Sequence, residues 1–69
     1  MPEKTLSTIV VEWRDEKGDR ESVTYEAWRM GEYGAKLRAS QRVEICRAAH
    51  HTVTAYRFEY SDGSIVRAV

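Results

Sequence analysis

Apolar and polar residues alternate over much of the first third of the chain. From Leu6 to Trp13, Ile9, Val11 and Trp13 take turns with Thr8, Val10 and Glu12, and a period of two predicts a strand. From Glu21 to Trp28 the same period returns, with Val23, Tyr25 and Ala27 against Thr24, Glu26 and Trp28. Between them Asp15-Glu16-Lys17-Gly18-Asp19 is a polar turn. A three-residue loop Glu16-Lys17-Gly18, with Gly18 left-handed, closes a hairpin. That loop sets Trp13 opposite Glu21, Val11 opposite Val23 and Ile9 opposite Tyr25. Ile9, Val11, Val23, Tyr25 and Ala27 then share one face, and a slip of one residue would scatter them over both.

Residues 30–40 carry a mixed signal. Gly31 and Gly34 interrupt regular structure around Glu32-Tyr33, and residues 35–39 suit either a short strand or a first helical turn. Ser40 is a good N-cap, and Gln41 to His50 holds no Gly or Pro. Val43, Cys46 and Ala49, with Ile45 beside them, fall on one side of a helix, and Gln41, Glu44 and Arg47 on the other. From Val53 to Tyr60 the period of two resumes, with Thr54, Tyr56, Phe58 and Tyr60 against Val53, Ala55, Arg57 and Glu59. Ser61-Asp62-Gly63-Ser64 is a turn, and Ile65 to Val69 a last short strand. A two-residue Asp62-Gly63 turn would pair Tyr60 with Ile65, Phe58 with Arg67 and Tyr56 with Val69.

These elements predict a small α+β fold of order ββαββ. Two hairpins form an antiparallel four-stranded sheet, and one helix packs on one face. The 69 residues make a single domain, with residues 1–5 a frayed start. The other sheet face stays uncovered and receives Trp28, with Leu6, Val10 and Met30, as an apolar patch.

Charge changes the picture in its distribution rather than its sum. Eleven basic and eleven acidic residues cancel, so the whole chain gives no pull toward nucleic acid or an anionic membrane. Residues 1–34 nevertheless hold eight acids and five bases, and residues 35–69 six bases and three acids. No run approaches the roughly 18 apolar residues of a membrane-spanning helix. Cys46 is the only cysteine, which excludes an intrachain disulfide and fits a reducing compartment. No basic stretch followed by an apolar run opens the sequence, so a cytoplasmic location is expected.

Catalysis finds little support. Cys46 and His50 are four apart, but a nucleophile pair needs a held thiolate and an orienting group, and a metal needs about three ligands. Two histidines and one cysteine do not supply them. Asp15, Glu16, Asp19 and Glu21 cluster on a loop that water keeps near ordinary acidity. No Gly-rich phosphate loop occurs. The expectation is therefore no enzyme, no cofactor and no metal. Lys36, Arg38, Arg42 and Arg47 form a basic stretch about the helix, where arginines can meet phosphates. Tyr56, Phe58 and Tyr60 on one strand could stack bases, but their solvent-facing neighbours Arg57 and Glu59 assign them to the core.

The expected function is a non-enzymatic interaction protein that binds and occludes a macromolecular partner, most readily a protein. The acidic loop residues Asp15, Glu16, Asp19 and Glu21 would meet a basic groove. Trp28, or the arginines Arg38, Arg42 and Arg47, would supply a second surface or a homodimer contact. The build resembles that of small phage or mobile-element proteins that inhibit a host complex, a likeness of size and architecture alone. The competing expectation is a small nucleic-acid-binding module using the basic helix and the strand aromatics.

Overall fold

The computed structural model describes residues 4–69. Strand β1 (Leu6–Arg14) turns back into β2 (Arg20–Glu26). Trp13 pairs with Glu21, Val11 with Val23 and Ile9 with Tyr25, as the pattern requires. Gly18 takes φ 85° and donates its N–H to the Asp15 carbonyl at 3.0 Å. Asp15 Oδ1 accepts the N–H groups of Lys17 and Asp19, both at 2.9 Å, so the aspartate knits the turn together.

After β2 the chain departs from the expected course. Glu26 ends the strand and Ala27–Met30 forms a single helical turn, α1. Ala27 is buried in the core, which rotates Trp28 off the sheet altogether. Gly31, at φ 86° and ψ 153°, makes the corner into α2 (Glu32–Ala48). Only glycine adopts that backbone without strain. Helix α2 therefore begins nine residues before Gln41, and residues 35–39 are helical. Ser40 lies inside it, where its hydroxyl donates back to the Leu37 carbonyl at 2.8 Å instead of capping.

The helix buries Ala35, Ala39, Val43 and Cys46, a stripe spaced by three and four. Three of the four are small, so α2 lies close against the sheet. Its end is closed by two backbone bonds, His50 N–H to the Arg47 carbonyl and His51 N–H to the Cys46 carbonyl. That closure holds His50 at φ 61°, a left-handed conformation that favours glycine. His50→Gly should raise stability by about 0.5–1 kcal/mol, or several degrees in melting temperature. Thermal circular dichroism checks this, and a lower melting temperature would contradict it.

Strand β3 (Thr52–Tyr60) pairs with β1, and β4 (Ile65–Arg67) with β3, giving the order β2-β1-β3-β4. Two register shifts interrupt the β1–β3 pairing, between Leu6 and Thr8 and between Glu12 and Trp13. The first brings Leu6 onto the helix-covered side, in the core with Ile9 and Val11. The second turns Val53 inward in place of Thr54. The last hairpin differs by one residue from expectation: Phe58 pairs with Val66 and Glu59 with Ile65. Its turn is a three-residue loop like the first. Tyr60 and Ser64 close it at 2.9 Å, and Gly63 at φ 85° donates to the Tyr60 carbonyl.

The architecture is thus the expected small α+β sheet with one main helix on one face. Tyr56, Phe58 and Tyr60 pack against the core beneath that helix. Lys4 and Thr5, expected to be frayed, are engaged: Thr5 exchanges bonds with Ser61, and the Lys4 ammonium lies 4.7 Å from the Tyr60 ring centre. Residues 1–3 lie outside the described residues.

The open face is polar, not the expected apolar patch. Arg57 donates to Glu12 at 2.8 Å and to Glu59 at 3.0 Å, and the Thr8 hydroxyl donates to Glu59 at 2.8 Å. Val10, the cross-strand neighbour of Arg57, is buried within this face. The Thr8 hydroxyl and then the Arg57 guanidinium hold the Glu59 carboxyl below its ordinary range. A carboxylate favoured in the fold stabilises above its unfolded pKa, about 4.3, and that contribution is lost as pH falls below it. Urea midpoints measured from neutral pH downward should therefore decline below about pH 4.3, less steeply in Glu59→Gln. Equal slopes would show that Glu59 does not contribute. Asp62, held down by Ser64, adds to the same limb in both proteins.

Candidate functional site

The residues singled out from the sequence do not converge. The acidic loop stands at one end of β2 and Trp28 follows the other, so the seven-residue strand, about 20 Å long, separates them. Arg38 and Arg42 lie one turn apart on α2, on the flank beside β2, with Val23, Tyr25, Gln41 and Ile45 around them. Arg47 faces away from them, near enough to Tyr56 to oppose the upward push that burial gives its phenol. The Arg42 guanidinium stacks 5.4 Å from the Trp13 ring centre, its Nε buried without a hydrogen-bond partner. No carboxylate pairs with Arg38, Arg42 or Arg47 among the described residues.

Two of the side chains singled out for chemistry, Cys46 and Asp15, are otherwise engaged. Cys46 is buried, and burial pushes its thiol up, only partly offset by Arg42. A protonated thiol is a poor nucleophile. Asp15 is occupied by its own turn. Among the described residues no group of three His, Cys, Asp or Glu side chains is placed to hold a metal ion. No helix among them is long and apolar enough to cross a membrane. The depressions along β2 are open grooves, one lined by Thr24, Tyr25, Glu26, Arg29, Met30 and Arg38.

What stands out is the corner built by α1, Gly31 and the first turns of α2. Trp28 is 72% exposed and Tyr33 80%, with Met30 and Leu37 also exposed. All four fall within residues 28–37. Tyr33 and Leu37 are one turn apart on the outward side of α2. A β-carbon on Gly34 would lie 3.9 Å from Met30, at ordinary van der Waals distance, so α1 and the start of α2 are neighbours at this corner. Charged pairs flank it, Arg29 with Glu26 at 3.9 Å and Lys36 with Glu32 at 3.7 Å. Tyr33 and Leu37 were not found from the sequence, because a corner through Gly31 was needed to make residues 32–39 helical. The spacing of Tyr33 and Leu37 was the available signal.

No family model matches the chain, and neither the curated proteins nor the solved structures give a match.

Proposed function

We propose that the chain is a non-enzymatic interaction protein that docks on and occludes a protein partner through its helical corner. The observation that carries this reading is the exposure of Trp28 and Tyr33 together. Burying an indole and a phenol is among the strongest contributions a small interface can make. Exposed apolar side chains gathered in one segment mark interaction surfaces. Apolar residues flanked by charged ones match the core and rim of a protein–protein contact. The acidic loop, more than a strand's length away, is a steering surface rather than part of the same contact.

A nucleic-acid-binding module has weaker support. The strand aromatics lie under the helix, so they offer no stacking platform, and Arg47 is turned away from Arg38 and Arg42. The test is capture from native extract with immobilised wild type and with Trp28→Ala, read by quantitative mass spectrometry. A protein retained by the wild type and lost by the variant supports the proposal. Identical captures, or capture of nucleic acid that falls steeply with salt, would refute it.

A further inference from the structure

The sheet has two free edges, and they differ. Strand β4 is three residues long, too short to offer much of a template. Strand β2 is seven residues long, contains no Gly or Pro, and runs against β1 without a register shift. Of the devices that blunt an edge it lacks a bulge and a proline, and its charges, Arg20, Glu21 and Glu26, are of both signs.

The direction of its backbone groups follows from the turn. Asp15 donates its N–H to the Asp19 carbonyl at 3.0 Å, which fixes the alternation of the antiparallel ladder. Glu21, Val23 and Tyr25 therefore direct their backbone groups toward β1. Arg20, Ser22, Thr24 and Glu26 direct theirs outward.

We propose that two copies of the chain join edge to edge through β2, antiparallel about Val23. In this register Arg20 faces Glu26 of the second copy and Ser22 faces its Thr24, each pair made twice. Each of these pairs presents outward backbone groups from both strands, as a continuous ladder requires. It is also the register that uses all seven residues without overhang, and it sets every open-face charge of the strand against its opposite. Glu26 already has Arg29 within 3.9 Å, an exposed pairing that Arg20 of the second copy would join. On the helix side the same register places Glu21 of the second copy opposite Tyr25. Tyr25 lines the grooves that also hold Arg38. Neither Glu21 nor Arg38 has an ion-pair partner of its own among the described residues. The result is an eight-stranded sheet with the two helices on one side of it, and Trp28 has no part in the seam.

Sedimentation equilibrium of the full chain, from micromolar to millimolar concentration, tests this. The mass should rise with concentration from 8.0 kDa toward twice that value. Thr24→Pro removes an outward N–H that β1 does not use, and should leave a folded monomer. Arg20→Glu and Glu26→Arg should each raise the dissociation constant about tenfold or more, since two opposite-charge pairs become like-charge pairs. Arg20→Glu should not harm the monomer, because Arg20 faces Arg14 within its own hairpin. The doubly exchanged variant should recover the dimer, and a mixture of the two single variants should form a heterodimer. A wild type monomeric throughout overturns the proposal. So does a dimer that survives in a folded Thr24→Pro, is not recovered by the double exchange, or is lost only in Trp28→Ala. Should Thr24→Pro fail to fold, the charge exchange alone decides.

Discussion

Ala39→Leu should lower the melting temperature by about 10–20 °C. Ala35 and Ala39 are fully buried, and Val43 and Cys46 nearly so. The helix sits as near the sheet as these small side chains allow. Three added carbons at position 39 meet Ile9, Val11 and their neighbours in a core that is already filled. Forcing extra methylenes into such a core costs about 1–3 kcal/mol and sometimes more. A domain of this size has a net stability of only about 3–5 kcal/mol to lose. Leu37→Ala is the control on the same helix. Its side chain faces water, so its effect should stay within about 0.5 kcal/mol. Thermal and urea denaturation of both variants check the pair. A melting temperature for Ala39→Leu within two or three degrees of wild type would mean that the helix is free to lift from the sheet.

Trp28→Ala should weaken partner binding by about thirtyfold or more while leaving the melt unchanged. The indole touches solvent over most of its surface, so its removal opens no cavity. Whatever it contributes is realised only when another molecule covers it. Central aromatic anchors contribute about 2–4 kcal/mol on truncation, against about 0.5 kcal/mol for rim residues such as Lys36. A titration of the captured partner against both variants measures the difference. Trp28→Ala binding as tightly as wild type would remove the helical corner from the proposal. A lowered melting temperature would show instead that the side chain braces α1.

Much of the fold was legible because its determinants are local. The first hairpin could be read pair by pair, since the position of Gly18 fixes the loop and the loop fixes the register. The second hairpin contains the same device, a glycine at the third loop position after an aspartate-bearing turn. A two-residue reading of Asp62-Gly63 displaced that strand by one. The start of α2 was hidden for a different reason. Gly31 and Gly34 have opposite roles, one forming a corner that only glycine allows and the other lying in the first helical turn. Neither composition nor spacing separates those roles. Trp28 was identified as exposed, but on the wrong element, because burial of Ala27 ended β2 early. The two bulges that turn Leu6 and Val53 inward depend on how β1 and β3 meet, residues forty or more positions apart. No local pattern reports that.

The single sulfhydryl has a practical consequence. Cys46 lies between α2 and the sheet with 1% of its surface accessible. An alkylating reagent can reach it only when that layer parts. Each molecule labelled records one opening event. The chain thus carries its own clock for spontaneous unfolding, readable by mass under native conditions and without denaturant.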